Sequence, residues 1–235
     1  AQHLQRSGYT PGQIALARSR FSGFGDIIKP MPMAYHRLVD GTTLTINGHS
    51  WRVVVGSGHS PEHACLFCET LNILVSGDQV IPKITSNVSV MGGEPEANPL
   101  KDWLNSHERF LADLPADLLV LPAHNAPFYG LHERLRYLIE HHEDHLQALE
   151  EACLDRKPTA LDLLPVLFKR PLDDSQIGLA LGECVAHLNY LHQRGQLERS
   201  LNSAGHFVYR SVDPTLSLRL RRHRHEGDEQ PPYQV

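Results

Sequence analysis

The chain has 235 residues, of which 41% are hydrophobic and 21% charged, so it can form one large domain or two small ones around a substantial core. Its net charge of −5 excludes a uniformly basic surface of the kind that binds nucleic acid without sequence preference. No apolar run approaches the roughly 20 residues that a membrane-spanning helix requires. We therefore expect a cytoplasmic protein without a membrane partner.

The four cysteines are expected to be reduced and buried. Cys65 and Cys68 form a C-x-x-C pair, which can indicate a redox motif or half of a zinc site. No second pair stands at zinc-finger spacing, and the surrounding segment is typical of a strand, in which these two side chains point to opposite faces. The pattern favours small core residues over a functional pair.

The first half of the chain is predicted to mix helices with β-structure. Thr10, Pro11 and Gln13 have the pattern of a capped helix start. Asn47-Gly48 lies between two alternating segments and predicts a β-hairpin. The remaining predicted elements are a loop at 28–36, strands at 64–69 and 71–77, an amphipathic helix at 99–114 and a short buried strand at 117–124.

The second half is predicted to be helical until a final hairpin. Leucines from 131 to 149 mark one face of a long helix, and further helices are expected at 159–168, where Pro165 favours a kink or an early end, and at 174–193. Three helices followed by a hairpin is the order of a winged-helix module. The fold class is therefore α/β (α+β), with a first domain at 1–130, a winged-helix-like domain at 131–212 and a charged, disordered tail at 213–235.

Three residues with metal-binding side chains follow predicted strands. His59 lies in VGSGHSPEH, Asp78 in VSGDQV and His124 in LPAHN, each directly after a buried segment. Loops at strand ends are where a sheet presents functional groups, so these side chains could converge on one point. Imidazole and carboxylate groups bind zinc, iron or manganese. Each signal alone is as well explained by a surface turn, and the hypothesis depends on the ordered set.

The segments GHSPEH, SGDQVIPKI and LPAH resemble the second half of the metallo-β-lactamase superfamily. The resemblance implies a partial αββα sandwich binding two divalent metal ions, zinc by preference and iron or manganese as alternatives. It implies that His59 is a ligand of the first ion, that Asp78 is the catalytic carboxylate bridging both ions, and that His124 is a ligand of the second. The C-terminal part resembles the winged-helix domain of a glyoxalase II-like branch.

One motif of the superfamily is absent from these residues. The pattern His-x-His-x-Asp-His, which would supply the remaining ligands, does not occur in the sequence. Either the sequence is a piece that lacks the N-terminal strands, which the first residue Ala1 favours, or the protein is a degenerate member. Three ligands alone cannot build the usual two-metal site.

The expected activity is hydrolysis of an ester, a thioester or a related small substrate by a metal-bound hydroxide. Aspartate at position 78 favours this wide group, because β-lactamases of the superfamily usually carry cysteine there. One alternative is a nuclease that uses the same site and binds the nucleic acid with its C-terminal domain. Another is a non-catalytic regulatory member without metals. A homodimer contact through the C-terminal domain is a further expectation.

Weaker candidates surround the three main residues. His63, Lys83, Asn87 and Asn125 lie close in sequence to the predicted ligands and could support them or contact substrate, although each also fits a packing or solvated position. His141, His142 and His145 lie on a predicted helix. A solvated face near the domain junction is favoured for them over metal chelation by His141 and His145.

Overall fold

The computed structural model describes residues 2–20, 33–174, 176–213 and 216. A five-stranded sheet has the order β1-β2-β3-β4-β5, and a separate two-stranded sheet pairs β6 with β7. The helices are α1 (Gln2–Arg6), α2 (Pro11–Arg20), α3 (Pro99–Asp113), α4 (Leu131–Ala152), α5 (Ala160–Leu167) and α6 (Ile177–Gln193). The strands are β1 (Thr43–Ile46), β2 (His49–Gly56), β3 (His63–Cys68), β4 (Ile73–Gly77), β5 (Leu119–Pro122), β6 (Leu197–Leu201) and β7 (Phe207–Ser211).

Local sequence signals explain where several elements begin and turn. Asn47 and Gly48 both have positive φ, at 49° and 79°, as a type I′ turn requires, and they join β1 to β2 with Ile46 opposite His49. The Gln13 side chain accepts a hydrogen bond from the Thr10 backbone N–H at 2.9 Å, which completes the predicted cap of α2. The predicted hairpin and helix start are both confirmed.

Strand direction places three strand ends at one edge of the sheet. Strand β3 is antiparallel to both β2 and β4, so β2 and β4 run in the same direction. Strand β5 is parallel to β4 and therefore shares that direction. The carboxyl ends of β2, β4 and β5 and the start of β3 consequently lie along the same edge, where His59, His63, Asp78 and His124 are found.

Helix α4 connects two hydrophobic cores. Its first half contributes Leu131, Leu135 and Leu138 to the core that packs against the sheet. Its second half contributes Leu146 and Leu149 to a core that also contains side chains of α3, α5, α6 and the β6–β7 hairpin. Because one continuous helix belongs to both cores, it joins the core under the sheet to the C-terminal core.

All four cysteines are buried thiols without a disulfide, and burial raises the pKa of Cys65 to about 12. The prediction that Cys65 and Cys68 are core residues is confirmed. The solvated histidine face expected on α4 is wrong for His142, which is fully buried against α6. Its position at the contact of two helices, which the helical periodicity alone does not reveal, explains the difference.

The order of three helices and a hairpin in the second half is as predicted, and α5 ends at Leu167, two residues after Pro165. The winged-helix assignment and the domain boundary at 130–131 stay predictions. The expected loop at 28–36 lies largely outside the described residues, as does the expected disordered tail apart from residues 213 and 216. None of the helices in the described part is both long and apolar enough to cross a membrane.

The buried His107 makes the fold sensitive to acid. Its Nε2 donates to the Gln79 carbonyl at 3.2 Å, and burial lowers the pKa of His107 to about 4 from an ordinary value of 6.5. Between pH 6.5 and pH 4, His107 is protonated in the unfolded chain but stays neutral in the folded chain. The free energy of unfolding therefore falls as the pH drops through this range. We expect His107 to account for a loss of about 1.6 kcal/mol between pH 6.5 and 5.

Urea unfolding at both pH values measures this loss. In His107→Gln, which keeps a donor for Gln79 but cannot titrate, the loss should be smaller by that amount. An equal pH dependence in both proteins would contradict the assignment.

Candidate metal centre

His59, Asp78 and His124 meet at the sheet edge formed by the ends of β2, β4 and β5. The His124 Nε2 atom lies 3.3 Å from Asp78 Oδ1, and the His59 Nε2 atom lies 3.9 Å from Asp78 Oδ2. Each carboxylate oxygen thus faces a different imidazole. The side chains of His59 and Asp78 are 33% and 30% exposed, so a small ion could reach both from solvent.

A hydrogen bond on the side of the ring away from Asp78 fixes the orientation of His59. Its Nδ1 donates to the backbone carbonyl of Asn87 at 2.8 Å, because a carbonyl can only accept. The Nδ1-protonated tautomer leaves the Nε2 lone pair free toward Asp78. A histidine that ligates a metal almost always donates its other ring N–H to a carbonyl or carboxylate in this way.

Glycines allow the close approaches that bring the loops together. Gly58 has a φ of +108°, and a Cβ there would lie 2.5 Å from the Trp103 Cβ and 2.7 Å from the Pro99 carbonyl oxygen of α3. Gly77 has a φ of +54°, and a Cβ there would lie 2.4 Å from the His63 Nε2. The loop before His59 is therefore pressed against α3, and His63 covers the backbone that leads into Asp78.

Backbone and hydroxyl contacts hold the other two ligand loops. The Ala123 N–H donates to the Gly77 carbonyl at 3.0 Å and ties the loop of His124 to that of Asp78. The Ser86 hydroxyl donates to the Asp78 carbonyl. The positions of the candidate ligands are therefore set by bonds that do not depend on an ion.

The four weaker candidates divide into two groups. His63 and Asn87 contact the centre: the His63 and His59 rings are 6.3 Å apart, and the pKa of His63 is lowered by burial and, to a smaller degree, by His59. Lys83 and Asn125 are exposed on the loops after Asp78 and His124. Asn125 has a φ of 68°, which asparagine tolerates in turns.

Glu183 is a supporting residue that the sequence did not reveal. The Asn87 side-chain amide donates to Glu183 Oε2 at 2.9 Å, and burial raises the pKa of Glu183 to about 7. Asn87 Oδ1 in turn accepts from the Ser89 hydroxyl at 2.5 Å. The only signal in the sequence is one carboxylate within the mostly apolar segment GLALGECVAHL, which indicates a buried partner without identifying it.

The donors fit a divalent cation. Two imidazoles and one carboxylate converge, and the tautomer of His59 directs a lone pair into the gap. This is the set of ligands that zinc, iron and manganese accept. The residues present therefore match the metal chemistry expected of this sheet edge.

Comparisons with known proteins identify the fold. Residues 146–212 match the family described as "Metallo-beta-lactamase-like, C-terminal domain". A β-lactamase domain protein from Burkholderia ambifaria superimposes with a TM-score of 0.85 and 40% identity over 90% of this chain and 61% of that chain. A metallo-β-lactamase family protein from Thermus thermophilus superimposes with a TM-score of 0.68 and 29% identity over 89% of this chain and 67% of that chain.

A curated relative, the lactamase-like protein aptB of Emericella nidulans, is 30% identical over 147 residues, which are 62% of this chain and 43% of the relative. The chain thus spans less than half the length of that relative and 61% of the Burkholderia structure.

The chain is accordingly a protein of the metallo-β-lactamase fold. Within that class, its residues 146–212 are similar to the metallo-β-lactamase-like C-terminal domain. The predicted superfamily and the mixed α/β fold are confirmed, whereas the glyoxalase II-like branch stays a prediction.

The close approach at Gly58 predicts a strong effect of a single methyl group. Gly58→Ala should lower the free energy of unfolding by about 2–3 kcal/mol, because overpacking against Trp103 adds to the strain of a positive φ. The matched control is Gly48→Ala, which has a φ of +79° but open space around the new Cβ and should cost about 1 kcal/mol. Chemical denaturation measures both, and equal losses would contradict the packing argument.

The support of His59 by the Asn87 loop predicts a change in tautomer. Asn87→Ala removes the bonds from this loop to Ser89 and Glu183, so its carbonyl should hold His59 less firmly. We expect ¹⁵N NMR at neutral pH to show the Nδ1-protonated ring in the parent and a tautomer mixture in the variant. Asn105→Ala, at an exposed position of α3, is the control. An unchanged His59 spectrum in Asn87→Ala would refute the role of the loop.

Proposed function

We propose that the protein is a metal-dependent hydrolase that acts on an ester, a thioester or a related small substrate. The observation that carries this proposal is the convergence of His59, Asp78 and His124, with one imidazole facing each oxygen of the carboxylate. The metallo-β-lactamase fold supports the proposal, because it presents metal ligands on loops at a sheet edge and its members are in general metal-dependent hydrolases.

The proposed ligand roles follow the geometry of the carboxylate. Asp78 contributes one oxygen toward His59 and the other toward His124, so it is suited to bridge two ions, with His59 holding the first and His124 the second. Zinc is the preferred metal, and iron and manganese accept the same ligands. Three side chains do not saturate two ions, so the proposed dinuclear centre requires further ligands beyond these three.

The chemistry that such ions supply when bound is activation of water near neutral pH and polarisation of the scissile bond. The chain itself orients the donors. Asn87 keeps the His59 Nε2 lone pair directed at the centre, His63 packs over the Asp78 loop, and Ser86 and Ala123 fix the two loops relative to each other. Preorganised ligands of this kind lower the cost of reorganisation during reaction.

A cavity beside α6 is connected to the candidate centre through Asn87. Its volume is about 1070 Å³, and its lining includes Ser89, Leu179, Val185 and Tyr209. Ser89 and the Leu179 carbonyl both bond to the Asn87 side chain, whose own backbone holds His59, so Asn87 links the lining to the loop behind His59, although His59, Asp78 and His124 do not line the cavity. Among the described residues its lining is mainly apolar, with Arg6 and Arg199 among its polar members.

The nuclease alternative has less support. Most of α6, the helix that would enter a DNA groove in a winged-helix protein, is buried against the rest of the protein, from Ala180 to Leu191. The net charge of −5 provides no overall attraction to phosphates. The retained donor set also argues against a regulatory member without metals. Homodimer formation and a cytoplasmic location stay predictions.

Removal of the central carboxylate tests the proposed function. In the parent, zinc should shift the imidazole resonances of His59 and His124 together, since both rings face Asp78. Asp78→Ala should weaken zinc binding at these rings by at least about 100-fold and reduce hydrolysis of aryl-ester and thioester probes to the same extent. Asp78→Asn keeps the shape of the side chain but loses its charge. Its zinc affinity and its rate of hydrolysis should lie between those of the parent and those of Asp78→Ala.

Asp113→Asn is the matched control, because Asp113 is an exposed carboxylate at the end of α3. It should leave zinc binding and hydrolysis unchanged. If zinc perturbs His59 and His124 equally in the parent and in Asp78→Ala, the proposed centre is wrong.

A further inference from the structure

A second group of metal-binding side chains lies away from the sheet edge, where α4 meets α6. His142 and His145 of α4 and His187 of α6 each offer one ring nitrogen, and these three atoms lie within 4.8 Å of one another. We call these three residues the histidine cluster. None of them belongs to the centre at Asp78.

Helix geometry brings the three rings together. His142 and His145 are three residues apart on α4 and therefore share a face of that helix. His187 approaches from α6, and its Nε2 lies 3.0 Å from the Nδ1 of His142. His142 and His187 are fully buried, whereas His145 is partly exposed.

The hydrogen bonds of His187 fix its tautomer. Its Nδ1 lies 2.8 Å from the backbone carbonyl of Glu183, so this nitrogen must carry the proton. The Nε2 atom then accepts a hydrogen bond from the Nδ1–H of His142 at 3.0 Å. As at His59, a backbone carbonyl accepts from Nδ1 and so fixes which ring nitrogen carries the lone pair.

The cluster contains buried nitrogen atoms that the protein does not satisfy. His142 Nε2 and His145 Nδ1 are both inaccessible to solvent and have no hydrogen-bond partner within the described part of the chain. Buried polar atoms of folded proteins are nearly always paired, so unpaired ones indicate a missing ligand or ion. Two such atoms on adjacent rings are difficult to explain by packing alone.

Burial also keeps the rings in the form that metals bind. It lowers the pKa of His187 to about 4 and that of His145 to about 3, and burial, followed by the neighbouring histidines, lowers the pKa of His142 well below its ordinary value. All three imidazoles are therefore neutral at physiological pH. Metal ions bind the neutral ring, so no proton has to be displaced from a charged imidazole.

We propose that His142, His145 and His187 form a second metal site, separate from the centre at Asp78, that binds one zinc-like divalent ion. In a tetrahedral zinc site with Zn–N bonds of about 2.0–2.1 Å, ligand nitrogens stand about 3.3–3.4 Å apart. The three nitrogens, which lie within 4.8 Å of one another, would move to that spacing around an ion, and the hydrogen bond between His142 and His187 would be exchanged for bonds to the metal. Three histidines leave a fourth position for water on the partly exposed side of His145.

The position of the site indicates a structural role. An ion there would link α4, which belongs to both hydrophobic cores, to α6 of the C-terminal core. It would also fix His187, whose Nδ1 donates to the backbone carbonyl of Glu183. The side chain of Glu183 accepts a hydrogen bond from Asn87, the residue whose backbone carbonyl holds His59. The second ion would thus stabilise the framework of the centre at Asp78 without contacting substrate.

Zinc titration of a double variant tests this site. In His59→Ala/His124→Ala, tag-free and stripped of metal, we expect one zinc ion per chain, a raised melting temperature and, with cobalt, the visible absorption of tetrahedral coordination. Because this background lacks two ligands of the proposed hydrolase centre, its result is independent of the proposed function.

His145→Gln in that background should lower zinc affinity by at least about 100-fold, beyond the effect of losing an outer partner, and abolish the shift in melting temperature. His145 is partly exposed, so this variant should fold. The matched control is His141→Gln, which replaces an adjacent histidine outside the cluster and should bind zinc as the background does. No zinc in the background, or equal affinity with His145→Gln, would overturn the proposal.

Discussion

The candidate centre depends on the common direction of three strands. Strands β2, β4 and β5 all point toward one edge of the sheet because β3 is antiparallel to two of them and β5 is parallel to β4. Reversal of any one strand would carry its loop to the opposite edge, a strand length away. The parallel pairing of β4 with β5 requires a long crossover, and α3 lies within it and packs against the loop of His59.

The centre is supported from a part of the chain distant in sequence. Asn87 connects the loop behind His59 to Glu183 of α6, and α6 packs on the second half of α4. The first half of α4 packs under the sheet that carries the ligands. The C-terminal segment is therefore part of the framework of the site, and the buried carboxylate in the mostly apolar α6 has a polar partner in Asn87.

The same junction contains the unsatisfied imidazole nitrogens of the histidine cluster. A buried polar atom without a partner costs about 1–3 kcal/mol, and two of them on neighbouring rings are a considerable loss for a small domain. A bound cation would remove that loss and hold α4 against α6. Stability of the framework and metal occupancy would then be coupled.

Local patterns in the sequence determined the elements and the candidate ligands. Caps, the Asn47-Gly48 turn and the periodicity of apolar residues predicted most helices and strands, and the ordered motifs around His59, Asp78 and His124 indicated the fold. Tertiary structure alone decided which side chains support them. Glu183 and His187 occur in a segment whose periodicity predicts only an apolar helix, and His142 was expected on a solvated face. Pairing between residues some 45 to 96 positions apart depends on how helices pack, and no local pattern encodes that packing.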